Sequence, residues 1–164
     1  MFDWVSDAEM AEVTPFDPNT GAGLCNPSCG PYFLHPTDAT TKPASGATMG
    51  LSIVTATANR YYFVEHRTSS TGYPSSVNAA LITWADIRPQ TGWDGETGIW
   101  ENSVLADCTP ETSDWVDAGC VPGASIVLDI GTSAENSMLI EVLVKQVGAG
   151  YCVTSLCLLL VYSV

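Results

Sequence analysis

Arg60-Tyr61-Tyr62-Phe63-Val64-Glu65-His66-Arg67 is the stretch whose reading decides the fold. Its middle is aromatic and β-branched, which suits a pleated, half-buried strand better than a helix. Tyr62, Phe63 and Val64 are apolar in succession, so a strand here has both faces covered. The stretch reads as a central strand of a sheet that packs against a second layer. Glu65 and Arg67 stand two residues apart and share one face, where a structural ion pair is the expected arrangement.

Working outward, Leu51-Ser52-Ile53-Val54-Thr55-Ala56 alternates like a strand, and Asn59 is a turn residue, so this segment and the next strand form a hairpin. Ala79 to Ala85 is an apolar strand, and Ala124–Ile130 and Ser137–Val144 are two more, joined by a turn holding Gly131 and Asn136. Tyr32-Phe33-Leu34-His35 is a short strand closed by Pro36, Ser103–Ala106 is short and extended, and Ala8–Val13 leans to strand. Residues 86–103 read as a long loop, as do the Gly- and Pro-rich residues 14–31. No long segment repeats its apolar residues with the helical period. The expected class is all-β, an antiparallel β-sandwich of jelly-roll-like build with long, disulfide-stapled loops. Residues 1–150 form one domain in this reading. The apolar tail 151–164 is either a last strand or a truncated anchor, being shorter than the roughly 20 apolar residues of a membrane span.

The chain has five basic and 18 acidic residues, a net charge of −13. Phosphate backbones and anionic lipid surfaces repel such a surface, so nucleic acid is excluded as a partner and a membrane is expected only through the tail. Cysteines 25, 29, 108, 120, 152 and 157 fall into three close pairs. Paired spacing favours an oxidising compartment with local bridges, leaving free buried thiols as the alternative. A bridge between Cys108 and Cys120 would contribute roughly 3 kcal/mol, and the shorter Cys25–Cys29 loop roughly 2 kcal/mol; Cys152 and Cys157 are the third candidate pair. No zinc site is expected, because C-x₂-C spacing is absent and neither His35 nor His66 extends a cysteine pair into a ligand set. The location expected is extracellular or the cell surface. Met1-Phe2-Asp3-Trp4 has no basic and apolar leader pattern, so a secreted protein of this kind would carry this chain as its later part.

Candidate binding residues cluster in the 86–103 segment. Asp86, Asp94, Glu96 and Glu101 supply the oxygen ligands that calcium takes, without the twelve-residue EF-hand spacing. A solvated acidic loop is the competing reading. Asp107, Asp114 and Asp117 form a second acidic group. Trp93 and Trp100 could stack on a sugar or a protein partner, or could pack the loop down onto the sheets. No catalytic residue is indicated: a nucleophile on a G-x-S-x-G turn is missing, Gly123-Ala124-Ser125 running on into Ile126.

Four segments in order resemble one family, the region after the catalytic domain in gametolysin-like and immune-inhibitor-A-like secreted zinc metalloproteases. Asp3-Trp4-Val5-Ser6-Asp7 looks like its start. Leu51-Ser52-Ile53 leading to Tyr61–Arg67 is similar to its aromatic YY-x-V-E-x-R strand. Gly72-Tyr73 followed by Ala80-Leu81-Ile82-Thr83-Trp84 resembles its Gly-Tyr turn and the strand after it. Leu105–Pro110, Trp115–Gly119 and Pro122–Ile126 resemble its L-L-D-x-T-P run with the D-A and G-x-S-F segments after it. The family's peptidase chemistry rests on H-E-x-x-H-x-x-G-x-x-H, which this chain lacks. The resemblance therefore implies a non-catalytic β-domain, with a stabilising or binding role beside a peptidase domain upstream or in trans. The alternative is a free-standing extracellular β-sandwich that binds carbohydrate or protein.

Overall fold

The computed structural model describes residues 7–17, 29–38, 46–68, 79–91, 97–111, 118–132, 137–146 and 156–163. Among these the regular structure is strand, apart from one 3-10 turn at Asp7–Glu9. The strands are β1 (Met10–Val13), β2 (Cys29–Leu34), β3 (Gly50–Val54), β4 (Arg60–Arg67), β5 (Ala79–Thr91), β6 (Thr97–Ala106), β7 (Ser125–Thr132), β8 (Ser137–Gln146) and β9 (Leu156–Ser163). Two sheets result, one in the order β1-β3-β4-β5-β6 and the other in the order β2-β9-β8-β7. The fold is all-β.

The Arg60–Arg67 stretch is the middle strand of the five-stranded sheet. Its hairpin with β3 turns at Thr55–Asn59. There the Thr55 hydroxyl donates to the Arg60 carbonyl (2.9 Å) and accepts from the Thr57 N–H (3.3 Å). Asn59 closes the turn at φ 64°, a left-handed conformation that asparagine tolerates better than most residues. Strand alternation then decides burial. Leu51, Ile53, Val64 and Ile82 from the first sheet join Leu34, Leu128, Ile130, Ile140, Val142 and Val144 from the second in one hydrophobic cluster. Each such side chain contributes about 1.5–3 kcal/mol by leaving water. Phe63 and Leu81, on the opposite face of the same strands, are also buried, so β4 is covered on both sides.

Glu65 and Arg67 do share a face, with Arg67 Nη2 3.0 Å from Glu65 Oε1. The Thr37 hydroxyl donates to the other carboxylate oxygen at 3.1 Å, and Asp38 accepts the Thr68 N–H at 3.0 Å. These contacts fasten the segment after β2 to the end of β4, alongside a parallel bridge between Pro36 and His66.

Three features depart from the sequence expectation. β2 begins at Cys29, inside the segment 14–31 read as a loop, and ends at Leu34, before His35. Residues 86–103 are no long loop: β5 runs on to Thr91 and β6 begins at Thr97, in register from Asp86 opposite Asn102 to Thr91 opposite Thr97. Pro89, Gly92, Gly95 and Gly98 punctuate this segment as a loop would, but a partner strand supplies the ladder hydrogen bonds that local composition does not reveal. The ladders are also not all antiparallel, since β1 pairs with β3 in parallel. The chain leaves the first sheet after β1, places β2 in the second and returns as β3, the crossover a parallel pair requires. Residues 156–163 of the apolar tail lie between β2 and β8, hydrogen-bonded on both sides.

Candidate functional site: a cleft between the sheet flanks

β6 ends the first sheet and β7 ends the second. Where these flanks face each other a cavity of about 510 Å³ opens, walled by Tyr62, Trp84, Val104–Ala106 and Ile126–Asp129. The ladder puts its first wall in place: Tyr62 stands opposite Trp84 and Trp84 opposite Val104, one row across three strands. Val104 is 49% exposed, so the mouth is both apolar and open.

The next row holds charges. Arg60 faces Asp86 across the ladder, Nε to Oδ2 at 3.2 Å. The guanidinium carbon lies over the Trp84 ring, 5.4 Å from its centroid, where the ring's negative face attracts it. The arginine side chain is 38% exposed, so this pair is worth at most about 1 kcal/mol and serves to orient the indole. On the far side the Tyr62 hydroxyl donates to the Asp129 carbonyl at 2.9 Å, joining the two sheets across the cleft. The Asp129 carboxylate accepts the Gly131 N–H at 2.8 Å, and Gly131 takes φ 110° at the bulge between Asp129 and Gly131. There Ile130 accepts the Ala56 N–H at 2.7 Å, closing one end of the cleft with the β3–β4 turn.

Burial first, and the Asp129 charge second, push the Tyr62 hydroxyl above the usual tyrosine pKa, with Arg60 opposing. The folded state therefore holds this proton more tightly than the unfolded chain. That stability is fully present below the ordinary tyrosine pKa and is lost as pH rises through the raised one. Urea midpoints should fall above about pH 10. Tyr62→Phe should cost about 1 kcal/mol at neutral pH and make the alkaline fall shallower. Tyr32, also raised by burial, keeps part of the slope. Identical slopes in the two proteins would rule out this role for Tyr62.

Those of the residues singled out in sequence that the structure describes, Asp86, Trp100 and Glu101, stand on strands rather than in one loop. Asp86 is committed to Arg60 on β5. Glu101 stands opposite Ile87 while Asp86 stands opposite Asn102, so the two acids occupy ladder positions of opposite parity. Trp100 is a β6 position opposite Arg88. Trp93, Asp94 and Glu96 lie outside the described residues. Cys108 and Cys120 form a disulfide with Cα atoms 5.2 Å apart. Cys29 and Cys157 are strand positions in β2 and β9, while Cys25 and Cys152 fall outside the described residues. Asp107 caps its own turn, accepting the Thr109 N–H at 2.8 Å, and Asp114 and Asp117 are not described. Among the described residues no group of three or more His, Cys, Asp or Glu could hold a metal. Tyr62, Trp84 and Arg60 carry the cleft, yet their sequence context marks them only as strand residues. No family model, curated protein or solved structure matches this chain.

Proposed function

We propose that this chain is a non-catalytic extracellular β-sandwich of jelly-roll-like build, an accessory domain of the kind that follows the catalytic domain in gametolysin-like metalloproteases, and that it works by recognition. The cleft between β6 and β7 carries the reading. Its walls are apolar and aromatic, and its charged neighbours Arg60 and Asp86 are spent on orienting Trp84. Such a surface suits contact with a partner better than proton transfer. The Cys108–Cys120 bridge supports an oxidising location.

Intact mass and N-terminal peptide mapping of the protein from its source test the accessory role. A longer chain with H-E-x-x-H upstream supports it, and protease assays with chelator controls come next. A product with no such segment leaves the second reading, a free-standing module that binds carbohydrate or protein. The half-buried indole on the cleft wall favours that one among the alternatives. Calorimetric titration with cellohexaose and chitohexaose then decides on sugars. Binding that weakens about tenfold or more in Trp84→Ala, with an unchanged thermal midpoint, supports the sugar reading. Calorimetry without heat for either oligosaccharide removes it.

A further inference from the structure

The second sheet has a face that no described element covers. Its inward parity is fixed by Leu34, Leu128, Ile140, Val142 and Val144, all in the shared cluster. The opposite parity carries Phe33 on β2, Leu139 and Leu143 on β8 and Val127 on β7. Phe33 is 49% exposed and Val127 57% exposed, so the two margins of this face are open to solvent. Between them β9 contributes the ladder positions Leu159, opposite Leu143, and Val161, opposite Glu141. A strand apolar at both parities belongs where both faces are covered.

We propose that a second copy of this chain covers this face, packing sheet on sheet about a two-fold axis. Charge placement selects that occupant. On β8 the apolar Leu143 is flanked at equal spacing by Glu141 and Lys145. A two-fold axis running across the strands beneath Leu143 sets position 141 of each copy against position 145 of the other, a self-complementary pattern of acid and base. The chain as a whole has a net charge of −13, yet on this face β8 and β9 together carry one acid and one base, and β7 adds one acid, Asp129, at its margin. This is thus a surface on which two such acidic molecules can meet with Glu141 of each copy set against Lys145 of the other and Asp129 left at the rim. The size of the face agrees with this occupant. Four strands about 4.8 Å apart and eight residues long span about 500 Å² per face. Two copies then reach about 1,000 Å², the lower bound of a specific interface.

Sedimentation velocity of the full chain from about 1 to 100 µM should show twice the 17.4 kDa chain mass, more completely as added salt screens the remaining negative charge. Leu143→Lys should weaken association about 30-fold or more. Glu141→Lys and Lys145→Glu should each weaken it, and the combined exchange should restore it, a readout independent of how well Leu143→Lys folds. A chain that stays monomeric throughout overturns the proposal. So does a dimer indifferent to both the Leu143 substitution and the charge exchange.

Discussion

Removing the Cys108–Cys120 bridge should lower the free energy of unfolding by about 3 kcal/mol, the loop-closure value for a bridge across twelve residues. The position adds a reason beyond chain entropy. β6 stops at Ala106, and the first sheet would be left without a neighbour for the start of β5. The segment at Cys120 takes that place: Ala80 and Cys120 exchange backbone hydrogen bonds at 2.9 and 2.8 Å. Cys120 is fully buried within the hydrophobic cluster, and Cys108 packs against it. The double variant Cys108→Ala with Cys120→Ala is the right comparison, because serine would bury a hydroxyl at 120. Urea denaturation should show a lower midpoint with a somewhat steeper slope, because the unbridged denatured chain exposes more surface, and the same loss in the unsubstituted protein under reductant. A midpoint that does not move would mean that the cluster alone holds this segment.

The fold was legible where chemistry is local. β4 announces itself through Tyr61–Val64, the β3–β4 hairpin through Asn59, and β7 and β8 through two apolar runs around a glycine. The close spacing of Cys108 and Cys120 carried a bridge that the structure contains. What stayed hidden depends on register. Arg60 and Asp86 are 26 residues apart and meet only because β4 and β5 pair in one frame out of several. The row of Tyr62, Trp84 and Val104 needs two ladders to be aligned before it exists. The extension of β5 and β6 past Asp86 was hidden by Pro89 and Gly98, which the paired strands absorb. The direction of β1 depends on the chain visiting the other sheet first, a fact of topology that no window of sequence contains.

His66→Ala should cost about 3–4 kcal/mol, and His66→Phe clearly less. His66 is one of the largest fully buried side chains, and it is polar. It sits at the end of the strand that read as central, on the inward parity with Tyr62 and Val64, so the imidazole occupies core volume between the sheets. Its Nδ1 lies 3.2 Å from the Leu34 carbonyl. A carbonyl oxygen can only accept, so Nδ1 carries the proton and donates it to β2 of the second sheet. The backbone of the same residue reaches the same neighbourhood, its carbonyl accepting the Thr37 N–H at 2.9 Å. Alanine removes both the volume and the donor, leaving a cavity and a buried carbonyl deprived of the imidazole. Phenylalanine is somewhat larger than the imidazole, so it leaves no cavity, and it loses the polar contacts of the ring, a penalty of about 1–3 kcal/mol. The gap between the two variants in chemical denaturation thus reports the cavity, and the phenylalanine loss reports the ring's polar contacts, the bond to Leu34 among them, together with the fit of the larger ring. Equal losses would show that the ring's volume contributes nothing. A phenylalanine variant as stable as the natural protein would show that the ring's polar contacts, the bond to Leu34 included, are worth no more than their own desolvation.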